Sequence, residues 1–180
     1  WPRRCSGAPA DRGPIGGDPF LPYSPTDYWG ELHRRDDLSA VGQSALPAAI
    51  NRWLYGALAR NVRRHVKRLG LHRPAGRRVL DVGAGTGFWV DVWRRLGATV
   101  DGVDLVPVAV ERLRERFGGA EGGGRFWVAD VAEPGALGEA TYDVVSVMNV
   151  LLHVTDDAAF DQALANVAGR VAPGGWLVMV

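Results

Sequence analysis

Gly83, Gly85 and Gly87 stand at alternate positions in VLDVGAGTGFW, residues 79–89, with Asp81 just before them and Phe88 and Trp89 just after. A glycine has no Cβ, so such a run permits a tight turn in which backbone N–H groups, including those around Ala84, touch a ligand. The helix expected from about Thr86 aims the positive end of its dipole at the same place. Asp104 lies 19 residues beyond Gly85 and is followed by Leu105. A carboxylate at about that offset, ending a second strand, accepts hydrogen bonds from ribose hydroxyls. Asp101 sits two residues earlier, inside the strand, so Asp104 is the stronger candidate. Asp130, ahead of Val131, can accept from an exocyclic amine such as that of adenine, or it is an ordinary strand-end aspartate. Asp81 falls within an apolar strand, where a carboxylate is costly unless paired. A ligand ammonium would pair it, and a hydrogen bond to loop backbone is the alternative. His153, in NVLLHV, has an ordinary pKa of about 6.5, which suits proton transfer; the competing reading is a histidine that packs or orients its loop.

These residues need a frame that brings them together. RRVLDV from residue 77 is a short apolar run and reads as a strand. Trp89, Val92, Trp93 and Leu96 mark one helical face after it. ATVDGVD alternates like a strand, and Val106, Val110, Leu113 and Phe117 mark a second helix with Pro107 near its start. RFWVAD and YDVVSVM read as strands three and four, Phe160, Leu164, Val167 and Val171 as another helix, and Pro173-Gly174-Gly175 as a turn into WLVMV, strand five. Strands alternating with helices at this spacing predict an α/β fold, a doubly wound, mostly parallel sheet with helices on both faces. Ligands of such sheets bind at the carboxyl ends of the strands, where the strand order reverses. The glycines, Asp104, Asp130 and Asn149 all fall at such ends.

Upstream, residues 47–69 predict a helix whose apolar stripe is Ile50, Leu54, Leu58, Val62, Val66 and Leu69, ended by Gly70. Arg60, Arg63, Arg64, Lys67 and Arg68 crowd the remaining surface, read first as a solvated face and second as a surface for nucleic acid or an anionic substrate. Six of the eleven prolines fall in residues 1–25, which predicts a disordered or extended arm. The chain thus divides into that arm, a helical lid or cap over 26–76, and a ligand-binding domain over 77–180.

Composition narrows the function classes. Over 180 residues the net charge is +1, so bulk charge points to no polyanionic partner. Cys5 is the only cysteine, which excludes an internal disulfide and a cysteine-based zinc site and agrees with a reducing, cytoplasmic compartment. No apolar run is long enough to span a membrane, and the first residues contain no signal-peptide core.

VLDVGAGTGFW, then GVDL, ADV, YDVVSVMNVLLHV and RVAPGGWLVMV, in that order, resemble the class I S-adenosylmethionine-dependent methyltransferases over about residues 77–180. The resemblance implies a Rossmann-like sheet of seven strands whose glycine turn cradles the methionine part of S-adenosylmethionine. It implies that Asp104 holds the ribose, that Asp130 and Val131 lie beside adenine, and that Asp81 and the backbone around Asn149 approach the methionine ammonium. It also implies an N-terminal lid, for which Tyr28, Trp29 and Tyr55 are candidates, with Arg60 as a partner for the cofactor carboxylate. The cofactor's chemistry agrees, because a sulfonium and an ammonium suit acidic residues better than a dinucleotide pyrophosphate would. Strands six and seven of the family, and the helix after strand five, have no counterpart in these residues.

The expected reaction is an in-line methyl transfer to a small-molecule acceptor, without a metal and with His153 as base where the acceptor must lose a proton. No Asn-Pro-Pro-aromatic sequence follows strand four, where NVLL stands, which lowers the expectation of a nucleic-acid substrate. Two other readings remain: a nicotinamide-dependent oxidoreductase, disfavoured by the G-x-G-x-G spacing, and a non-catalytic module that keeps the fold.

Overall fold

Every position of β1 (Arg78–Val82) after Arg78 is buried, as a strand covered on both faces requires. In this computed structural model, which describes residues 24–34, 38, 46–68, 75–119 and 123–180, β1 occupies the centre of a five-stranded sheet in the order β3-β2-β1-β4-β5. The other strands are β2 (Thr99–Asp104), β3 (Phe126–Val128), β4 (Tyr142–Val147) and β5 (Val171–Met179). All pairings are parallel. The order reverses between β1 and β4, which places the switch point beside the glycine turn. The α/β fold with helices on both faces is therefore as the sequence predicts.

Two apolar layers sandwich the sheet. One joins α2 (Ala48–Arg68), α3 (Phe88–Arg95) and α4 (Pro107–Phe117) to Val79, Val100, Phe126 and Val144. The other joins α5 (Asp157–Ala168), through Ala163 and Val167, to Leu80, Val82, Val103 and Val145. Trp93 of α3 is fully buried; removing a side chain of that size from water contributes roughly 1.5–3 kcal/mol. Pro107 sits in the first turn of α4, where its missing N–H costs nothing.

Three sequence expectations change in detail. The buried face of α2 is Asn51, Tyr55, Ala59, Val62 and Val66, so Ile50 and Leu54 of the expected stripe point outward. Tyr55 and Asn51 take the inward place near the helix start because polar partners exist there; Asn51 Nδ2 donates to the Leu46 carbonyl at 3.2 Å. In α5 the inward residues are Ala163 and Val167, while Phe160 is exposed. Finally, β5 starts at Val171, and Pro173-Gly174-Gly175 bulges within it: Tyr142 pairs with Val171 but Val144 with Trp176. The expected arm up to residue 23, Leu69 and the Gly70 helix stop lie outside the described residues.

Candidate active site

The turn after β1 runs in left-handed backbone at each glycine, with φ of 69° at Gly83, 50° at Gly85 and 79° at Gly87. A Cβ at Gly83 would overlap the Val150 side chain, and one at Gly87 would come within 2.5 Å of Phe117. Gly87 caps α3 and donates its N–H to Ala84 O at 2.8 Å, closing the turn. All three glycines are thus required by φ, and Gly83 and Gly87 by space as well.

Asp104 ends β2 and reaches back to this turn. Its Oδ2 accepts from Gly85 N at 2.8 Å and its Oδ1 from Val106 N at 2.9 Å. Burial raises its pKa; hydrogen bonds from Val106 and Gly85 and the charge of His33 oppose that rise. A carboxylate has about four lone-pair sites, so with the backbone of Gly85, Val106 and Leu105 as donors it keeps limited room for a ligand.

His33 follows α1 (Pro25–Leu32) and is 3% exposed. Its carbonyl accepts from Arg112 Nη1 of α4 at 2.7 Å. α1 therefore lies across the carboxyl end of the sheet, joined to the β2 side at His33 and to the loop after β4 at Trp29, whose ring centroid is 4.7 Å from that of His153.

Asp81 lies two residues before the turn. Its Oδ1 accepts from Ser146 Oγ at 2.8 Å, while Oδ2 is buried without a partner. Burial lifts its pKa to about 7, against the Ser146 hydrogen bond and with help from the Asp104 charge. An orphaned acceptor beside a ligand-binding turn is the feature a cationic group would complete.

A cavity of about 310 Å³ opens over the strand ends. Gly83, Ala84 and Gly85 form its floor, with Asp104 and Leu105 on one side and Asp130 and Val131 beyond them. Asp130 Oδ1 is occupied locally by Ala132 N at 2.9 Å and the residue is exposed. Opposite lie Asn149 and His153. Asn149 has φ 58°, the one left-handed non-glycine among the described residues, and its N–H donates to Val180 O at 2.9 Å. Its side chain bonds the Tyr55 hydroxyl, whose pKa burial raises. His153 lies in a short 3-10 turn, Leu151–His153, and burial lowers its pKa below 6.5.

Trp29 and Tyr55 line the cavity with these groups. Four sequence candidates do not. Asp81 and Gly87 lie behind the floor, Tyr28 packs edge-on against Trp29 at 5.2 Å, and Arg60 is exposed on α2. The cavity also draws on His33, Phe88, Trp89 and Met148, which are not among the candidates drawn from the sequence. Phe88 and Trp89 follow the glycines directly, a signal that was present; Trp89 Nε1 is buried without an acceptor. Nothing local in the sequence marks His33. Among the described residues there is no cluster of potential metal ligands, and no helix is long and apolar enough to cross a membrane.

A family model described as a methyltransferase domain matches residues 51–180. Similar curated proteins include the ubiquinone biosynthesis O-methyltransferases of Paracidovorax citrulli (strain AAC00-1), 37% identical over 60% of this chain and 44% of the relative, and of Xanthomonas axonopodis pv. citri (strain 306), 39% identical over 59% and 43%. The chain thus spans less than half the length of these relatives. Among solved structures, an amino pentose methyltransferase from Micromonospora echinaspora, bound to S-adenosylmethionine, superposes with a TM-score of 0.56 at 28% identity over 69% of this chain and 50% of that one. The magnesium protoporphyrin IX methyltransferase of Synechocystis PCC 6803 shares the fold, with a TM-score of 0.60 at 20% identity over 81% and 66%. The nicotinamide reading of the glycine turn yields to these matches. Fold, strand-end residues and family model agree, and the chain belongs to the methyltransferase-domain family.

Proposed function

We propose that this chain binds S-adenosylmethionine at the β1–β4 switch point and transfers its methyl group to a hydroxyl of a small, planar acceptor. One observation carries the reading: the glycine turn, Asp104, Asp130, Asn149 and His153, scattered over 71 residues between Gly83 and His153, line one cavity. The residues fit the cofactor's charges. Asp81 Oδ2 is buried and unpartnered behind the glycine floor, where its charge would attract the methionine ammonium without lining the cavity. Asp104 lines the cavity as an acceptor for a ribose hydroxyl, and Asp130 with Val131 offers a carboxylate and an apolar wall to adenine. When bound, the cofactor supplies a methyl group on a sulfonium, an electrophile that needs no metal.

The chain's own residues do the rest. Trp29, Tyr55 and Phe88 give the cavity aromatic walls, which suit a flat acceptor and exclude water. His153, whose pKa burial lowers, takes the proton of the acceptor hydroxyl at a ring nitrogen. Alignment in such a site contributes up to roughly 7–11 kcal/mol of barrier reduction. The curated relatives named as O-methyltransferases support oxygen as the acceptor atom. A reducing, cytoplasmic compartment agrees with the single Cys5.

The test is a methyl-transfer assay with catechol as the acceptor probe and S-adenosylmethionine as donor. His153→Ala should lower kcat by roughly 10²–10⁴ while cofactor affinity stays within about twofold. A pH-independent kcat, unchanged by the substitution, would remove the base.

A further inference from the structure

The outward face of α2 leads beyond the site. Successive residues of a helix turn by about 100°, so Ile50, Trp53, Leu54 and Ala57 share the side opposite the buried line Asn51, Tyr55, Ala59 and Val62. Trp53 is 66% exposed, Ile50 44% and Leu54 36%. Arg60, Arg64, Lys67 and Arg68 continue the same side toward the helix end. α2 contains Arg52, Arg60, Arg63, Arg64, Lys67 and Arg68 and no aspartate or glutamate. None of these six cations forms an ion pair with another described residue. The whole chain has a net charge of only +1, so the positive charge is local to this helix.

We infer that α2 is a peripheral docking helix for an anionic lipid surface, with Ile50, Trp53 and Leu54 entering the interface and Arg60, Arg64, Lys67 and Arg68 resting on headgroup phosphates. A basic helix with an apolar first half that carries an exposed indole has the composition of an interfacial helix. The long arginine and lysine stems can lie along the interface while their heads reach phosphate. Nucleic acid would satisfy the arginines but leaves Ile50 and Leu54 in water, so the apolar group favours lipid. No membrane-spanning segment is required.

Co-sedimentation tests this with vesicles of phosphatidylcholine alone and of an equal mixture of phosphatidylcholine and phosphatidylglycerol, at low and high salt. Circular dichroism checks that each variant is folded; all substitutions are at exposed positions. The protein should sediment with the mixed vesicles at low salt and lose that binding at high salt. Arg60→Glu/Arg64→Glu should weaken it at least about tenfold, because each cation near an anionic surface matters. Trp53→Ser should weaken it several-fold, and Arg95→Glu of α3, outside this face, should leave it unchanged. Absence of sedimentation by the folded protein would overturn the inference. So would equal binding to phosphatidylcholine alone, binding untouched by the α2 substitutions, or retention of duplex DNA instead of vesicles. None of these outcomes depends on methyl transfer, so failure here and failure of the proposed activity are separable.

Discussion

The Trp29 indole and the His153 imidazole meet at 75°, centroids 4.7 Å apart, and so join the N-terminal helix to the loop after β4 across the mouth of the cavity. Two residues 124 positions apart in sequence thereby set the environment of the proposed base. Burial lowers the His153 pKa below 6.5, and Trp29 is part of what buries it.

Trp29→Ala should therefore raise the His153 pKa toward 6.5 and loosen the roof over the cavity. With four histidines in the chain, an NMR titration of the imidazole protons resolves this. A pKa that stays put would mean that the 3-10 turn alone shields the ring.

Asp104 has a double duty, and its removal should report both. Asp104→Ala leaves Gly85 N and Val106 N without their acceptor, which costs about 1–3 kcal/mol for each buried donor. S-adenosylhomocysteine affinity should also fall at least about tenfold. Asp104→Asn keeps an acceptor and should lose less stability than affinity. Calorimetric titration with thermal melts separates the two effects, and parental affinity in either variant would remove the ribose role.

Much of this was legible in the sequence because strand-end chemistry depends on spacing that a parallel sheet fixes. The glycine turn, Asp104, Asp130, Asn149 and His153 could be placed once the strands were found. What could not be read were contacts made by elements that cross over the sheet. His33 reaches the Asp104 side through the fold of α1, and Arg112 meets its carbonyl from 79 residues away. The inward face of α2 differs from the expected stripe for a related reason. Periodicity finds a stripe, but Tyr55 takes an inward position with Asn149 as its partner and Asn51 one with the Leu46 carbonyl, and that rotates Ile50 and Leu54 outward. The bulge in β5 was likewise hidden, since a Pro-Gly-Gly sequence reads the same before a strand as within one.

Asp81 should make stability depend on pH. The unfolded chain loses this proton near 3.8 and the folded chain near about 7. Between those values the native state holds a proton that the unfolded state lacks, so stability falls as pH rises through the window and the loss is complete above it. Asp81→Asn removes the penalty. It should melt higher than the parent at about pH 8, by a margin that shrinks toward about pH 4. Because a ligand ammonium would favour the ionised carboxylate, parental cofactor affinity should rise with pH through about 7. Equal melting of the two proteins across pH would place the Asp81 pKa in the ordinary range.

Gly83→Ala combines a left-handed φ of 69° with overlap on Val150. The φ alone costs roughly 1–2 kcal/mol and the overlap about 1–3 kcal/mol more. Gly135→Ala is the control, with φ 74° and nothing within 4 Å of its added Cβ. Denaturant unfolding should show the larger loss at Gly83, together with loss of cofactor binding that the control does not share. Equal losses would mean that Val150 moves aside.

The most direct measurement is calorimetric titration of the folded chain with S-adenosylhomocysteine and, separately, with NADH. Saturable heat with S-adenosylhomocysteine alone, lost in Gly83→Ala, is the predicted result. Saturable heat with NADH, or no heat with S-adenosylhomocysteine from a chain that circular dichroism reports as folded, would contradict the assignment of the glycine turn.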